Sequence, residues 1–432
     1  MDVARISRVR GLTVISLLSS LLALSACGIT NTFSSNSDSQ ATDSCAGTAI
    51  PNSFIVKWKN GAITQENAEN REALERDIIA PNRDQIDYAE NDHIIHTAPI
   101  PVEQIAAIVT QSSAANSWGQ TKVSAQTAWS ENALGNGVIV AVVDSGADIT
   151  HPQLKNQLAV NPNEILNGID DDKNGYIDDI NGWDFSGIDP SNPSFNGTGA
   201  ITDGAGHGTH VSGIILADSS AGPVQGLATQ AKLLPLRFMD ANGDGLVSNA
   251  VLAINYAVAR GAKVINASWG GGGCTRTLQQ AILNAGAKGV MFISASGNGD
   301  SVGRGLNLDT SPVFPAAYGI STQITVGSSG STDVMSGFSN YSSTLVNILA
   351  PGEQIYSTWP GGNTAILDGT SMATPFVSGA AAILMSYRPK ATVDQIRTAL
   401  LNSVDVFGYP TSSGGRLNIA KALVALAQVV QP

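Results

Sequence analysis

Three observations in the sequence predict an α/β fold, with a doubly wound, mostly parallel sheet and helices on both of its faces. The first is a set of apolar runs that end in polar turn residues, GVIVAVVDSG at 137–146 and VMFIS at 290–294, as buried parallel strands do. The second is the stretch from Met372 to Met385, almost unbroken in Ala, Val, Ile, Leu and small residues, which predicts a buried central helix. The third is the content of 45 glycines with 6% aromatic residues, which suits a tightly wound protein with many turns.

The composition limits the classes of function. The chain has 432 residues, of which 43% are hydrophobic and 13% charged, so it can bury a large core. Its formal net charge of −12 argues against nucleic acid or an anionic lipid surface as a partner. The charge alone does not identify a substrate.

Three residue types that nucleophilic acyl transfer requires each lie in a segment that would aim the side chain outward. They are Asp144 in VVDSG, His207 in GHGTHVSG and Ser371 in GTSMATP. Asp144 ends a predicted strand, at the sheet edge where catalytic groups collect. His207 follows a glycine-rich turn, and Ser371 lies at the amino end of the predicted central helix, with Pro375 expected in the first turn. A helix amino terminus stabilises negative charge that develops on a carbonyl oxygen.

These segments, in the chain order Asp, His, Ser, resemble the subtilases, the subtilisin-like serine peptidases of family S8. The resemblance covers residues 118–426 and implies a subtilisin-like fold and a serine endopeptidase. It implies that Ser371 attacks the substrate carbonyl, that His207 transfers the proton and that Asp144 orients the imidazole. Two other classes are weighed against it. They are a carboxyl-type relative with an acid in place of His207, and a calcium-binding or adhesion lipoprotein built on a dead protease, and the intact triad disfavours both.

The resemblance also assigns residues around the triad. Asn298 in FISASGNG is expected to donate its side-chain amide to the oxyanion, with an asparagine that only turns a loop as the alternative. His151 and His210 are expected to be structural.

Two segments are expected to contact the substrate. One pairs with the peptide backbone by β-augmentation, and the other walls the pocket for the residue before the scissile bond. The residues are Ser268, Trp269 and Gly270 in the first segment, and Ala295, Ser296 and Gly297 in the second. Neither contains an acid, so a broad, mainly apolar preference for protein and peptide substrates is expected, unless Trp269 fills the pocket and narrows it.

One acidic loop predicts a metal site. The run DDDKNGYIDD at 170–179 places oxygen-bearing side chains at alternating positions around a glycine, as loops that wrap Ca²⁺ do. Subtilases carry a similar insertion, which implies structural calcium here, although Asn181 stands where an EF-hand has glutamate and a solvated acidic turn is the alternative. A second patch, 240–245, is expected to be a turn in a cleft loop. The predicted ligands are Asp170, Asp172, Asn174, Tyr176, Asp178 and Asp179.

Residues 1–26 predict a signal peptide, because three arginines precede an apolar stretch over 11–25 that is too short to span a bilayer. The sequence LSAC at 24–27 resembles a bacterial lipobox, which predicts cleavage before Cys27 and lipid on that cysteine. A secreted protein cleaved after Ala26 is the alternative. A lipid on Cys27 anchors the protein to a membrane of the cell envelope, and Gly28 favours the outer membrane or cell surface.

Residues 27–50, rich in Ser, Asn and Thr, predict a flexible tether. If Cys27 is lipidated, two cysteines remain, Cys45 and Cys274. They can pair in an exported protein, although the sequence gives no geometry for the pair.

Residues 51–115 are more charged than the rest and resemble the subtilase propeptide, a small α+β module that assists folding and inhibits the enzyme until it is removed. A strand over SFIVKWKNG, a helix over Gln65–Arg76 and a helical stretch over Pro101–Thr110 are expected. A permanent amino-terminal extension is the alternative.

Residues 116–432 form the predicted catalytic domain, which begins near WGQTKVSAQTAW at 118–129 and is expected to be monomeric. Self-processing is expected between Ala98 and Asn116. It would release the enzyme from its lipid anchor unless a disulfide between Cys45 and Cys274 survived.

Overall fold

The computed structural model describes residues 49–97, 117–187, 197–271 and 273–431. The predicted signal peptide, residues 27–48 of the tether and the predicted processing segment lie outside these ranges, as do Cys27, Cys45 and the helical stretch over 101–110. Among the described residues, no helix combines the length and the apolar character needed to span a membrane.

Residues 49–97 form a small α+β module. Its three strands are antiparallel in the order β2-β1-β3, and a short helix α1 continues into a π-helical turn over Glu75–Ile79. The module has a core of its own, formed by Phe54, Val56, Leu74, Ile79 and Ile86. The bounds are β1 Ala49–Trp58, β2 Ile63–Asn67, α1 Arg71–Leu74 and β3 Ile86–His96.

The predicted helix over Gln65–Arg76 is wrong in its first half. Gln65 lies in β2 and pairs with Ile55 across the β1–β2 hairpin. The helix begins only after Asn70, whose side chain accepts a hydrogen bond from the backbone N–H of Ala73 and so caps the first turn.

The central sheet has nine strands in the order β15-β16-β12-β11-β10-β8-β4-β6-β5, and all neighbours are parallel except the β15–β16 pair. The predicted α/β class with a mostly parallel sheet is confirmed. Two short strands, β7 and β9, pair instead with β3 of the module, and β13 and β14 form a separate hairpin. The bounds are β4 Ile139–Asp144, β5 Trp183–Asp184, β6 Lys232–Arg237, β7 Asp244–Leu246, β8 Val264–Ala267, β9 Gly270–Gly271, β10 Met291–Ala295, β11 Gln323–Ser329, β12 Ile348–Pro351, β13 Ile355–Trp359, β14 Asn363–Leu367, β15 Asp405–Val406 and β16 Gly415–Arg416.

Helices cover both faces of the central sheet. Successive residues of a strand point to opposite faces, so alternate residues of one strand pack against different helices. In β4, Val140 and Val142 join a core cluster with the helices α4 and α7, whereas Ala141 and Val143 join a second cluster with α5 and α6. The helix bounds are α2 Trp118–Lys122, α3 Ala125–Ser130, α4 His207–Leu216, α5 Val247–Ala259, α6 Arg276–Ala287, α7 Thr370–Tyr387, α8 Val393–Asn402 and α9 Ile419–Val429.

The central helix α7 is buried from Thr370 to Leu384, as its small apolar residues predict. The expectation that Pro375 lies in the first turn is wrong, because the helix begins at Thr370 and Pro375 is its sixth residue. Proline has no backbone N–H, so the carbonyl of Ser371, four residues earlier, lacks its usual helical donor.

Candidate active site

Asp144 and His207 meet at the carboxyl edge of the central sheet. Asp144 is the last residue of β4, His207 is the first residue of α4, and both are almost completely buried. The Nδ1 atom of His207 lies 2.8 Å from Oδ1 of Asp144. A methyl group at Gly208 would collide with the carbonyl oxygen of Gly146, so the close approach of strand and helix depends on glycine at that position.

Ser371, the second residue of α7, is tied to Ser268 by two reciprocal hydrogen bonds. The hydroxyl of Ser371 donates to the carbonyl oxygen of Ser268 at 2.9 Å, and the hydroxyl of Ser268 donates to the carbonyl oxygen of Ser371 at 2.9 Å. The second bond satisfies the carbonyl that Pro375 leaves without a helical donor. Among the described residues, Nε2 of His207 has no hydrogen-bond partner.

The pKa of His207 is raised from its usual value. Burial lowers it, but the charge and hydrogen bond of Asp144 and the charge of Asp203 together outweigh burial. His210 behaves in the opposite way, because burial and the nearby His207 lower its pKa to about 3. Its Nε2 donates to the carbonyl oxygens of Ile355 and Ala365, so His210 is neutral and has the contacts of a structural residue.

His151, also expected to be structural, is buried and hydrogen-bonded on both ring nitrogens. Its Nε2 lies 3.0 Å from the carbonyl oxygen of Asn363, and its Nδ1 accepts the backbone N–H of Gln153.

Asn298 is oriented by Thr370, the residue before Ser371. The Oδ1 atom of Asn298 accepts the backbone N–H of Thr370 at 2.9 Å and its hydroxyl at 2.8 Å. This fixes the side chain so that its amide nitrogen faces Gly369 at the start of α7. Asn298 and Ser371 line one cavity of about 680 Å³. An amide donor and a helix amino terminus therefore border the cavity that Ser371 lines.

Asp203 is a buried residue of this site that the sequence reasoning missed. Its carboxylate accepts hydrogen bonds from the backbone N–H groups of Gly206 and Thr209, at the start of α4, and from the hydroxyl of Ser145, next to Asp144. Asp203 thus joins the end of β4 to the start of α4. Its spacing four residues before His207 in TDGAGHGTH is the signal that could have identified it as a cap.

The two segments predicted to contact substrate border the same cavity, with Trp269 and Gly270 on one side and Ala295 and Gly297 on the other. The indole of Trp269 points away from the cavity, because its Nε1 donates to the carbonyl oxygen of Val143 and its ring packs against Phe238 and Phe292. The Trp269 side chain therefore does not fill the pocket. Ser268 contacts Ser371, as described. Ser296 is buried, and its hydroxyl donates a hydrogen bond to the carbonyl oxygen of Asn340.

The end of β3 lies in the same cleft. Ile95 and His96 pair with Gly271 and Gly270 of β9, and β7 pairs with the other edge of β3. The backbone N–H of Thr97 donates to the carbonyl oxygen of Gly243 in the acidic patch at 240–245. Residues 240–243 of this patch form the expected turn, whereas Asp244 and Gly245 begin β7. His96 and Thr97 line the cavity that contains Ser371. The module therefore occupies the edge of the cleft as an added strand.

The predicted calcium loop brings only part of its residues together. Carboxylate oxygens of Asp172 and Asp179 lie within 4.8 Å of one another and of Glu164, which the sequence reasoning missed. Asp170 instead accepts the backbone N–H groups of Asn174 and Gly175. No carboxylate of Asp170 or Asp178 belongs to the three-residue group.

Asp178 and Tyr176 have other partners. Asp178 accepts the backbone N–H groups of Asn167 and Gly168, and the ring of Tyr176 packs edge-on against Trp183 and Tyr256.

The charge of Asp179 is already compensated without a metal. Arg260 forms an ion pair with its carboxylate at 3.1 Å, and the side-chain amides of Asn161 and Asn174 donate to it. Glu164 and Asp172 also accept hydrogen bonds, Glu164 from the backbone N–H groups of Asp172 and Asp178, and Asp172 from Asn174 and Asn161. Neither has a cationic partner among the described residues, and carboxylate oxygens are ligands that calcium prefers, so the loop fits such a cation through these two residues best.

Comparison with known proteins gives a consistent set of matches. The model of the subtilase family matches residues 135–420. Thermitase of Thermoactinomyces vulgaris is 36% identical over 310 residues, which cover 71% of this chain and 95% of that protein. Subtilisin Savinase of Lederbergia lenta is 34% identical over 71% of this chain and 97% of its own length. The major intracellular serine protease of Bacillus subtilis (strain 168) is 35% identical over 70% of this chain and 83% of its own length.

Proposed function

Because this chain belongs to the subtilase family and is a serine endopeptidase, we propose that it cleaves peptide bonds through Ser371, His207 and Asp144. The observation that carries this assignment is the buried 2.8 Å contact between His207 and Asp144 at the carboxyl edge of the central sheet, together with Ser371 as the second residue of α7. The raised pKa of His207 fits a side chain that must accept a proton during the reaction.

In the proposed reaction, the Oγ of Ser371 attacks the substrate carbonyl while Nε2 of His207 accepts the hydroxyl proton. Asp144 holds the imidazole by Nδ1 and stabilises its cation. The amide of Asn298 and the amino terminus of α7 stabilise the oxyanion. His207 then returns the proton to the leaving amine, and water hydrolyses the acyl-enzyme by the same steps.

A fluorophosphonate probe tests the nucleophile. It should label the wild-type chain on Ser371, and Ser371→Ala should abolish both labelling and hydrolysis of casein. Ser378→Ala, a buried serine on the same helix, is the matched control and should keep both. Intact labelling in Ser371→Ala would place the reactive nucleophile elsewhere, and no labelling of wild type would favour a dead protease with a binding role.

We also propose that residues 51–115 are a propeptide that inhibits the enzyme until it is removed. Support comes from β3, which enters the cleft as an antiparallel strand and brings His96 and Thr97 to the cavity of Ser371. Further support comes from Glu90 and Asp92 of β3, which accept hydrogen bonds from the first residues of α6 and α5. Because β3 is hydrogen-bonded along both edges and to the starts of α5 and α6, it would keep substrate out of the cleft.

Intact mass and amino-terminal sequence test the processing. Wild type expressed with its signal peptide should shorten to a start within or just after 98–116, while Ser371→Ala stays long. If wild type and Ser371→Ala both keep residues 51–115 and wild type still cleaves casein, the module is a permanent extension rather than a propeptide.

For the location, we propose an exported protein anchored to the cell envelope by lipid on Cys27. The disulfide of Cys274 supports an oxidising compartment. Precursor carrying Ser371→Ala should fractionate with membranes, and adding Cys27→Ser should release it, whereas adding Cys45→Ser should not. Membrane association that persists without Cys27 would contradict the anchor.

For the metal, we propose that structural Ca²⁺ binds the loop through Glu164, Asp172 and neighbouring oxygens. A ligand that binds only the folded state at about a hundred times its Kd stabilises by about 2.7 kcal/mol, so calcium should raise the melting temperature of the wild type. Asp172→Asn should remove most of that increase, and Asp240→Asn in the other acidic turn should leave it intact. An equal response in wild type and Asp172→Asn would indicate a solvated turn.

A further inference from the structure

The hydrogen-bonded register of β3 determines which bond of the precursor would meet the nucleophile. The strand pairs antiparallel with β9, and His96 lies opposite Gly270. On its other edge, the backbone N–H of Thr97 donates to the carbonyl oxygen of Gly243 at 2.9 Å, so the strand is still paired at Thr97. Thr97 also lines the cavity that contains Ser371. The strand therefore runs into the cavity of the nucleophile with a fixed register.

The same register leads to one particular peptide bond. In an antiparallel pair, each step forward on one strand is a step back on the other, and opposite Cα atoms lie about 4.5–5.5 Å apart. A strand that kept the register of His96 would therefore place Ala98 opposite Ser268. The carbonyl oxygen of Ser268 accepts the hydroxyl of Ser371 at 2.9 Å. The bond after Ala98 is thus the one that the docked strand would offer for attack.

The residue after Ala98 is Pro99, which favours binding in the cleft but hinders cleavage. A proline ring excludes helical backbone at the preceding residue and so keeps Ala98 extended. Cleavage would join Oγ of Ser371 to the Ala98 carbonyl carbon, break the C–N bond to Pro99, and pass the hydroxyl proton through Nε2 of His207 to the proline nitrogen. That nitrogen carries the ring carbon Cδ in place of a hydrogen, and the ring would crowd the approach of the imidazole.

We propose that Pro99 makes the docked module an inhibitor that its own active site does not cut, so that a second, already processed copy of this chain activates the precursor by cleaving within 100–116. A different intramolecular cut would require β3 to leave the cleft, at the expense of contacts such as that of His96 with Asp244, where Nδ1 and Oδ1 are 2.5 Å apart. The inference rests on the proposed function and deepens it, because it names the attacking partner and the bond that stays intact.

The dependence of processing on protein concentration separates the two routes. A docked, cleavable bond has an effective concentration in the millimolar range, so at about 1 µM protein it would react roughly a thousandfold faster than by attack from a second molecule. Intramolecular processing is independent of concentration, whereas intermolecular processing rises in proportion to it. Dependence on concentration at micromolar protein therefore requires that the docked bond resists cleavage.

The test compares full-length chains that are refolded by dilution from denaturant at increasing concentrations and followed by intact mass and amino-terminal sequencing. Wild type should process after a lag that shortens as the concentration rises and disappears when processed enzyme is added, and no product should begin at Pro99. Pro99→Ser should process at a rate independent of concentration, and its first product should begin at position 99. Pro101→Ser, which leaves the bond after Ala98 unchanged, is the matched control and should behave like wild type.

The Ser371→Ala precursor isolates the intermolecular step, because it has no nucleophile of its own. Processed wild type should cleave this precursor within 100–116 and leave the bond between Ala98 and Pro99 intact. Pro99→Ala provides a second variant at the same position and should process like Pro99→Ser.

Three results would overturn the inference and leave the proposed peptidase in place. They are processing of wild type at a rate independent of concentration, a wild-type product that begins at Pro99, and a Ser371→Ala precursor that processed enzyme leaves uncut. Processing of Pro99→Ser with the lag and product of wild type would also overturn it. If wild type and Pro99→Ser both stay long, cleave no casein and take no fluorophosphonate label, the proposed function fails, and this inference with it.

Discussion

Replacing Asp92 with alanine should shift the equilibrium between the docked and undocked amino-terminal module (residues 49–97) about a hundredfold towards the undocked form. Asp92 lies in β3 and is completely buried. Its carboxylate accepts the backbone N–H of Ser248 at 3.1 Å and the hydroxyl of the same residue at 2.6 Å. Ser248 is the second residue of α5, and the N-cap residue of that helix, Leu246, has no side-chain oxygen to cap it. Asp92 therefore supplies the cap from another part of the chain.

The magnitude follows from the two donors of Ser248 in α5 that the substitution leaves without Asp92; its other donors, His93 and Ser53, belong to the module itself. A buried donor without a partner costs about 1–3 kcal/mol, so two donors cost about 2–6 kcal/mol. The missing carboxylate leaves room for a water molecule that would restore part of this, which places the expected loss near 3 kcal/mol. At 1.4 kcal/mol for each factor of ten, the undocking equilibrium shifts by roughly a hundredfold.

Hydrogen exchange of the β3 amides in a Ser371→Ala background measures this opening without self-cleavage. Asp87→Ala, at an exposed acid on the same strand, is the matched control and should exchange like the parent protein. Asp92→Asn, which keeps one acceptor, should give an intermediate rate. If Asp92→Ala exchanged no faster than Asp87→Ala, the capping argument would be refuted.

Three further changes have defined outcomes. Activity should fall on the acid side as pH drops through the raised pKa of His207, because only the neutral imidazole accepts the Ser371 proton. Of the titratable groups facing His207, Asp144 and Asp203 are acids and His210 is neutral. Because the charge of Asp203 raises the pKa of His207, Asp203→Asn should move the acid limb of the kcat/KM profile to lower pH. An acid limb that stays in place would contradict this role of the Asp203 charge. Ser268→Ala should lower kcat by about 5- to 150-fold, because it leaves the buried carbonyl of Ser371 without a donor at a cost of about 1–3 kcal/mol. Active-site titration separates this effect from misfolding, and an unchanged kcat would count against it. If Cys274 pairs with Cys45, the cleaved module should stay attached on a non-reducing gel and detach in Cys274→Ser, which should also unfold at about 2–4 kcal/mol lower stability; detachment from wild type would exclude that pair.

The sequence was most informative where the residues that determine an element or a site are adjacent in the chain. The β-branched run that ends at Asp144 predicts a strand end, and the small-residue run after Ser371 predicts a buried helix, so both side chains could be expected at one sheet edge. The parallel sheet and its two helical layers follow from the same runs.

The remaining features depend on contacts between distant segments. Glu164 lies in a stretch without a recognisable pattern, and it is assigned a role only because the fold places it beside Asp172 and Asp179. The direction of the Trp269 indole could not be predicted either, because a residue just after a strand can turn to the core or to the cleft. The helix predicted from Gln65 failed because pairing with β1 prevailed over local propensity.

The hydrogen bond from the Ser268 hydroxyl to the Ser371 carbonyl ties the segment predicted to bind substrate to the backbone of the proposed nucleophile. The proline that interrupts the α7 hydrogen-bond ladder makes this possible, since a residue with an N–H at 375 would claim the Ser371 carbonyl for the helix. Without this bond, relative motion of α7 and β8, the strand that precedes Ser268, would change the distance between the Ser371 hydroxyl and the scissile carbonyl. Because the bond from Ser268 engages the Ser371 carbonyl and not its hydroxyl, it can hold the two backbones together while the hydroxyl is free to turn towards His207.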